Sequence, residues 1–475
     1  MTRYFCDYAW LGATPAAMGG ATPAVVGDAT PRGATGAAPT GGTEAARDVL
    51  LEIVGDRFVS VVPCATRPSD AVHLRGLTIP GLANVHSHAF HRALRGRAQS
   101  GPRTFWAWRE QMFLVAAMLT PDTYYELARA TYAEMALTGI TAVGEFHYLH
   151  HARDGRPYAD PNAMGEALLA AAVEAGIRIT LLDACYLESA PGRPVEGPQR
   201  RFADESVDIW AARAEGLVAG PGARTGAAIH SMRAVPPGAA AVVASAARRR
   251  GVPLHFHLSE QVAENEATLA AYGASPTELL VAAGALGGSS TAVHATHLTP
   301  SDLERLGESR TGACICPTTE RDLADGIGPA RRLASAGSPV TLGSDSQAVI
   351  DLFQEMHGLE DAERLATGAR GNFTASELLV AATRDGHVAL GWPECGFIVP
   401  GAVADLVTVS LGSPRLADAD LDVRDIVAHV VFAASASDVT DVVVGGRPVV
   451  SGGRHRLVGD VATALRRSVA TVLDS

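Results

Sequence analysis

The stretch LTIPGLANVHSHAFHRAL, residues 77–94, is the part of the sequence from which the fold can be argued. An apolar segment with turn residues is followed by three of the chain's 16 histidines within six positions. His86 and His88 are two residues apart, so in an extended strand their side chains point to the same side. The pair indicates either a metal site at a strand end or a polar loop in contact with water, and the rest of the chain has to separate these alternatives.

Seven further strand-like runs follow this stretch, and alanine-rich helical segments separate most of them. The eight strand candidates are residues 77–88, 139–148, 177–186, 224–232, 252–260, 290–298, 311–319 and 338–346. Strands that alternate with helices predict an α/β fold with a parallel sheet, and eight of them over roughly 250–320 residues predict a (β/α)8 barrel of the TIM type. A doubly wound open sheet is the alternative that periodicity alone leaves open.

The two ends of the chain differ from this central part, because strand-like pieces dominate there. They predict a small β-sandwich domain that residues 1–76 and 397–475 build together, with the barrel at 77–396. Residues 12–47 consist almost wholly of Gly, Ala, Pro and Thr. Such a composition cannot bury enough apolar surface to offset the entropy of ordering, so we expect this segment to be a flexible insertion.

The composition excludes several classes of function. The 475 residues have a formal net charge of −12 and no basic run, which argues against nucleic acid and anionic membranes as partners. All basic residues are arginine, so mechanisms that need a lysine Schiff base or a phosphate-loop lysine are excluded. Six scattered cysteines without a C-x-x-C pair, and no leader-like N-terminus or run of about 20 apolar residues, predict a cytoplasmic protein.

Coordinating side chains gather where the strand candidates end. They are His86, His88, Glu145, His147, Tyr148, His230, Arg233, His255, His257, Glu260, His294, His297 and Asp345. Because the catalytic side chains of (β/α)8 barrels lie at the carboxyl ends of the strands, this distribution favours the metal site over the polar loop. Imidazole and carboxylate ligands suit Zn²⁺, and Fe²⁺ or Mn²⁺ also accepts such a set.

The motifs HSH, HFHLSE, HATH and GSDS, in this order along the chain, resemble the amidohydrolase superfamily and in particular its deaminases with one zinc ion. Longer motifs such as FWAWREQMF, EFHYLHH, HSMRAV and CPTTERDLADG are similar to the formimidoylglutamate deiminases. The resemblance covers nearly the whole chain apart from residues 12–47. Related barrels with two metal ions bridge them with a carboxylated lysine, which this chain lacks, so one zinc ion per chain is favoured.

The resemblance implies a set of metal ligands and a set of catalytic residues. The implied ligands are His86, His88, His257 and Asp345, and the implied catalytic residues are Glu260, His294 and Asp345. Within HFH, His257 is favoured as the ligand because it stands three residues before Glu260 at the mouth of the barrel. His255 lies two residues deeper and is expected to have a supporting role.

The activity implied by the resemblance is hydrolysis of a carbon–nitrogen bond in N-formimidoyl-L-glutamate, which yields N-formyl-L-glutamate and ammonia in histidine degradation. The residues expected to bind this small dicarboxylate are Arg109, Tyr148, Arg233, His230, His91 and Gln347. Arginine suits the role because its planar guanidinium pairs with a carboxylate through two hydrogen bonds. Positions 91 and 347 depart from residues common in the family, Gln and His. An extended strand end would direct Gln347 to the same side as Asp345, toward the metal-bound water or the substrate.

The sequence leaves two other functions open. One is a related deaminase that acts on a guanidino dicarboxylate or on a heterocyclic ring. The other is a catalytically inactive barrel used for binding, although retention of all four ligand positions argues against it. The resemblance also suggests a homodimer.

Overall fold

The computed structural model describes residues 1–12, 44–97, 105–418 and 422–474 of the chain. The predicted flexible insertion at 12–47 lies outside the described residues except for its ends, and its last two residues begin a strand.

The described residues form eighteen strands and fifteen α-helices. The strands are β1 (Thr2–Ala9), β2 (Ala46–Val54), β3 (Arg57–Val62), β4 (Val72–Pro80), β5 (Leu82–Ser87), β6 (Ile140–His147), β7 (Arg178–Cys185), β8 (Glu188–Ala190), β9 (Arg193–Pro194), β10 (Ala223–Ile229), β11 (Leu254–Leu258), β12 (Ser290–His294), β13 (Gly312–Ile315), β14 (Val340–Leu342), β15 (Leu406–Val409), β16 (Val439–Val444), β17 (Arg447–Ser451) and β18 (Arg454–His455). The helices are α1 (Phe105–Met118), α2 (Pro121–Leu137), α3 (Ala163–Ala175), α4 (Val207–Gly216), α5 (Pro237–Arg250), α6 (Val262–Tyr272), α7 (Pro276–Ala282), α8 (Pro300–Glu308), α9 (Pro317–Leu323), α10 (Ala330–Ala336), α11 (Leu352–Thr367), α12 (Ala375–Ala382), α13 (Arg384–Ala389), α14 (Ile426–Ala433) and α15 (Val461–Leu473).

Eight strands form a parallel sheet in the order β5-β6-β7-β10-β11-β12-β13-β14, and each lies in one of the predicted candidates, except that β10 begins one residue earlier. The sheet closes on itself at its carboxyl end, where Ser87 and Asp345 form a parallel bridge. There the backbone N–H of Asp345 donates to the His86 carbonyl at 3.0 Å, and that of His88 donates to the Asp345 carbonyl at 3.2 Å. The predicted (β/α)8 barrel is therefore confirmed, and the doubly wound open sheet is wrong.

The strands from the two ends of the chain form one mixed sheet in the order β18-β17-β16-β15-β4-β1-β2-β3. Here β1 is parallel to β4, and β15 joins the C-terminal strands to β4 in antiparallel pairing. After β4 ends at Pro80, Gly81 leads into the first barrel strand. A Cβ atom at Gly81 would lie 2.2 Å from the Oγ1 atom of Thr141, so only glycine lets the chain pass this close to β6.

The barrel strands are deeply buried, which leaves their carboxyl ends as the place where function can reside. Every residue of β5, β6, β11 and β12 is buried. The six cysteines all lie in the described ranges, and none of them forms a disulfide. Among the described helices, none is both long enough and apolar enough to span a membrane.

Candidate metal centre and active site

Four side chains from distant parts of the sequence meet at the carboxyl end of the barrel, and we call them the metal cluster. They are His86 and His88 on β5, His257 on β11, and Asp345 just after β14. The Nε2 atoms of His86 and His88 lie 3.2 and 3.3 Å from the same oxygen, Oδ1 of Asp345. The Nε2 atom of His257 lies 3.1 Å from that of His86. All four residues are buried.

Backbone carbonyl groups orient two of the imidazole rings in the metal cluster. The Nδ1 atom of His88 donates to the Phe146 carbonyl at 2.9 Å, and that of His257 donates to the His230 carbonyl at 2.8 Å. Because a carbonyl only accepts, these bonds place the ring proton on Nδ1 and leave the Nε2 lone pair directed into the cluster. Backbone bonds of this kind fix the tautomer of metal-binding histidines.

The charge state of the metal cluster also fits a cation. Burial lowers the pKa of His86, His88 and His257 well below its usual range, so the imidazoles are neutral ligands. Burial raises the pKa of Asp345, but the surrounding histidines, His294 foremost, outweigh it and lower the pKa overall. The Nε2 lone pairs of the imidazoles and the Asp345 carboxylate therefore face one another, and no hydrogen atom lies between them to form a hydrogen bond. A divalent metal ion satisfies this donor set.

Within the HFH motif, the two histidines have different environments. His257 lies in the metal cluster, whereas Nε2 of His255 donates to the Ala389 carbonyl at 3.0 Å, away from the cavity. The structure therefore brings His257, and not His255, to the other ligand candidates.

His294 faces the metal cluster from the end of β12. Its Nε2 atom lies 3.7 Å from Oε1 of Glu260 and 3.9 Å from Oδ2 of Asp345. Burial lowers the pKa of His294, but these carboxylates and that of Glu320 outweigh it and raise the pKa well above its usual range. The backbone at His294 and Asp345 has positive φ angles of 67° and 39°. Strained backbone of this kind clusters at functional sites.

A cavity of about 370 Å³ opens in front of the metal cluster. Its lining includes five of the six residues predicted to bind substrate, which are Arg109, Tyr148, Arg233, His230 and His91. Aromatic side chains that the sequence did not indicate form much of the remaining wall, namely Trp108, Phe113, Tyr186 and Phe202.

Two arginines give this cavity a positive wall. The Nη1 atom of Arg233 is buried and has no hydrogen-bond partner among the described residues. Burial, followed by the positive charge of Arg233, lowers the pKa of Arg109, so the two guanidinium groups are close enough to repel each other. Two half-buried cations that line the same cavity favour an anionic ligand.

His91 and Tyr148 are joined at the inner end of the cavity. The Nε2 atom of His91 lies 3.0 Å from the Tyr148 hydroxyl. Burial lowers the pKa of His91 to about 4, so its imidazole is neutral at physiological pH. The pair can present a hydrogen-bonding edge to a ligand without adding charge.

Gln347 is the one predicted substrate-binding residue that does not line the cavity. The expectation relied on an extended strand end, but β14 ends at Leu342 and the chain turns, with positive φ angles at Asp345 and Gln347. The Gln347 side chain is fully buried: its Nε2 atom donates to Ser87 and to the Asp345 carbonyl, and its Oε1 atom accepts from Ser344. The structure therefore corrects the predicted direction of this side chain.

Two buried carboxylates near the cavity were not among the sequence predictions. Glu264, on α6, lines the cavity with an Oε1 atom that has no partner among the described residues. Glu320, on α9, lies 3.4 Å from Nδ1 of His294. Glu264 lies four residues after Glu260, in the first turn of α6, and Glu320 lies in the CPTTERDLADG motif. Both are therefore close to predicted features, although neither stands at a strand end.

Candidate metal ligands at the strand ends of a (β/α)8 barrel, with ionisable groups and an open cavity beside them, are the arrangement expected of a metal-dependent hydrolase. The chain belongs to the amidohydrolase family, whose family model matches residues 77–449. It is thus a hydrolase of carbon–nitrogen bonds, in agreement with the resemblance seen in its motifs.

Individual relatives are similar over most of their length. Formimidoylglutamate deiminase of Pseudomonas aeruginosa is 35% identical over 442 residues, which cover 90% of this chain and 97% of that protein. A 5-methylthioadenosine/S-adenosylhomocysteine deaminase of Pelotomaculum thermopropionicum is 31% identical, with 85% and 89% covered. The crystal structure of an amidohydrolase from Brucella melitensis superposes with a TM-score of 0.86 at 31% identity over the whole of both chains.

Proposed function

We propose that this chain hydrolyses N-formimidoyl-L-glutamate to N-formyl-L-glutamate and ammonia, with one zinc ion per chain. The observation that carries the proposal is the pair of cavity arginines, Arg109 and Arg233, beside the metal cluster. A substrate with two carboxylates and one hydrolysable carbon–nitrogen bond matches this arrangement of charges. The 35% identity to the Pseudomonas enzyme over 90% of the chain supports the same substrate.

In this reaction some side chains bind the metal ion and others transfer protons to or from the reacting groups. His86, His88, His257 and Asp345 would hold the zinc ion, which would supply hydroxide near neutral pH by lowering the pKa of a bound water. Asp345 accepts the proton from the attacking water, and Glu260 carries a proton to the imino nitrogen, which leaves as ammonia. Burial raises the pKa of Glu260, which favours the protonated form needed for this transfer. His294 stabilises the charge that develops on the reacting group.

Arg233 and Arg109 hold the two carboxylates, and Tyr148, His230 and His91 provide hydrogen bonds near the reacting carbon. The homodimer and the cytoplasmic location stay predictions from the sequence.

A second candidate is a deaminase of a heterocyclic ring. The aromatic lining from Trp108, Tyr148, Tyr186 and Phe202 favours it, since flat rings stack on such side chains. The 31% identity to a 5-methylthioadenosine/S-adenosylhomocysteine deaminase points the same way.

Ammonia release by purified protein of known metal content tests both candidates. The panel contains N-formimidoyl-L-glutamate, a guanidino dicarboxylate and 5-methylthioadenosine, with the His257→Ala variant as the control without metal. We expect the highest kcat/KM for N-formimidoyl-L-glutamate. A higher kcat/KM for the nucleoside would replace our proposal with the second candidate, and no ammonia from any compound by zinc-loaded protein would contradict both.

A further inference from the structure

The imidazole of His294 is contacted from two sides. Its Nε2 atom faces the cavity, and its Nδ1 atom faces a carboxylate that the proposed reaction does not use. We propose that Glu320 is a positioning residue, which accepts a hydrogen bond from Nδ1 of His294 and so keeps Nε2 directed at the reacting group. The inference rests on the proposed function only in taking His294 as the group that faces the substrate.

The geometry around Glu320 supports this role. Its Oε1 atom lies 3.4 Å from Nδ1 of His294 and accepts the backbone N–H of Cys316 at 2.8 Å. Only 5% of Glu320 is exposed, so water does not compete for the carboxylate. A carboxylate accepts but does not donate, so the Nδ1 atom of His294 carries a proton and donates it to Glu320. Bonds of this kind are often long before substrate binds and shorten in the complex.

Helix α9 holds the carboxylate in place. The backbone N–H and the hydroxyl of Thr318 donate to the two oxygens of Glu355 on α11, at 2.9 and 2.5 Å. The hydroxyl of Thr319 lies 3.0 Å from that of Ser346, next to Asp345. Glu320 is thus presented by a helix that is anchored on both sides, which is what precise orientation of a reacting group requires.

A different reading of the same residues is a second metal site, since donor atoms of His294, Cys316 and Glu320 lie within 4.8 Å of one another. Burial raises the pKa of the Cys316 thiol well above its usual range, so the thiolate that a metal would need is disfavoured. The Oε1 atom of Glu320 is also already engaged by Cys316 and His294. These contacts favour a positioning role over a ligand role.

Three substitutions separate the reach of the side chain from its charge. Glu320→Gln keeps the length and an accepting oxygen but loses the charge, whereas Glu320→Asp keeps the charge and withdraws the oxygen by one methylene. Glu320→Ala loses both. The matched control is Glu363→Gln, another buried carboxylate, which accepts the backbone N–H of Arg331 at 2.7 Å and does not line the cavity.

We expect kcat to fall about 10–100-fold in Glu320→Ala and Glu320→Asp, the range seen when the carboxylate partner of a metal-binding histidine is removed. Glu320→Gln should lose less than about tenfold, because its amide oxygen accepts the same ring proton through a weaker bond. KM and the zinc content should stay near those of the parent in all three, and Glu363→Gln should match the parent throughout.

The orientation of His294 gives a readout that does not depend on turnover. Crystal structures of the zinc-loaded variants should show the His294 ring rotated or in two orientations in Glu320→Asp and Glu320→Ala, and in its parent position in Glu320→Gln. Should Glu320→Ala fail to fold, the Gln and Asp variants carry the test alone. Failure of the parent to release ammonia from N-formimidoyl-L-glutamate would overturn the proposed function but leave this readout intact.

Three results would overturn the positioning role. The first is a Glu320→Asp protein with the parent's kcat and ring orientation. The second is a Glu320→Gln protein as impaired as Glu320→Asp, because loss of the charge would then cost as much as loss of the reach, and an accepted hydrogen bond alone would not explain the role. The third is a second zinc ion per parent chain that is lost in Glu320→Ala, which would make Glu320 a ligand.

Discussion

Two buried clusters of histidines and carboxylates lie near the carboxyl ends of the barrel strands, and only one of them contains an arginine. The metal cluster is on the inner side, around Asp345. The other, which we call the arginine cluster, lies on the outer side of β6 and β7 against helices α3 and α4. It consists of His147, His150, Asp183, Asp204 and Arg213. By donor geometry alone, His147, His150 and Asp183 also form a group that could hold a metal ion.

The arginine cluster contains its own cation. The two Nη atoms of Arg213 bind the two oxygens of Asp183 at 2.6 and 2.9 Å, and Trp210 donates to the same carboxylate at 2.9 Å. Within the described residues, Asp345 has no arginine at ion-pair distance, and the two imidazoles nearest to it, those of His86 and His88, are neutral. The carboxylates of the arginine cluster are therefore already paired with Arg213, whereas no arginine among the described residues pairs with Asp345, which favours the metal cluster as the metal site.

The largest expected effect is on metal binding. His257→Ala removes one of four ligands, so zinc content and ammonia release should both be lost. His150→Ala, in the arginine cluster, should keep the zinc content of the parent, and His255→Ala should keep most of it. Metal analysis of the three purified variants checks this. Loss of zinc from His255→Ala but not from His257→Ala would reverse the assignment within HFH.

The second prediction removes the internal cation. Arg213→Met leaves Asp183 and Asp204 buried without their partner, which should lower the free energy of unfolding by about 3–5 kcal/mol. Zinc content and kcat of the folded protein should not change, because Arg213 does not line the cavity. Urea denaturation at fixed zinc concentration measures the effect. If Arg213→Met is as stable as the parent and binds an additional metal ion, the arginine cluster is a second metal site and does not differ from the metal cluster.

The third prediction concerns the pH dependence of the arginine cluster. Burial lowers the pKa of His147 to about 4 from an ordinary 6.5. Between these values the unfolded chain binds a proton that the folded chain does not, so the free energy of unfolding falls as the pH falls. The free energy of unfolding lost in this way is about 3 kcal/mol by pH 4, and no loss occurs above pH 6.5. His147→Gln has no such proton, so its free energy of unfolding should fall less than the parent's over this window. An equal pH dependence of the unfolding free energy in the two proteins would show that His147 is not the group responsible.

The sequence predicts the barrel because each buried strand is followed by a helix, and local patterning is enough to reveal that alternation. The same patterning brings His86, His88, His257 and Asp345 to one rim. Patterning could not predict where the Gln347 side chain points. The backbone at Asp345 and Gln347 is left-handed, so the alternation of side chains in a strand does not continue there. Nor could patterning find Glu320, since that carboxylate reaches His294 only through the packing of α9 between its neighbours.

The fourth prediction compares Arg233, which is half-buried in the cavity wall, with the buried Arg213. Arg233, unlike Arg213, has no ion-pair partner among the described residues. Arg233→Ala should therefore leave the free energy of unfolding unchanged but lower kcat/KM by about one to two decades, the value of a charged hydrogen bond to substrate. Arg233→Lys should recover part of this loss, since lysine keeps the charge but not the planar fork. Parent kinetics in Arg233→Ala would show that the carboxylates bind elsewhere.

The smallest effect is expected at Gln347, which borders the metal cluster without facing the cavity. Its amide donates to Ser87 at 2.9 Å and to the Asp345 carbonyl at 3.0 Å, and it accepts from Ser344 at 2.9 Å. These bonds support the segment that carries Asp345, so the residue acts on the backbone and not on the substrate. A neutral histidine offers one donor and one acceptor, and it cannot repeat all three bonds. Gln347→His should thus cost about 1–3 kcal/mol of unfolding free energy through an unsatisfied buried group. Its kcat/KM should stay within about threefold of the parent, since no transition-state contact is changed. A clear rise in kcat/KM at unchanged zinc content would show that residue 347 does reach the substrate, as an extended strand end would have placed it.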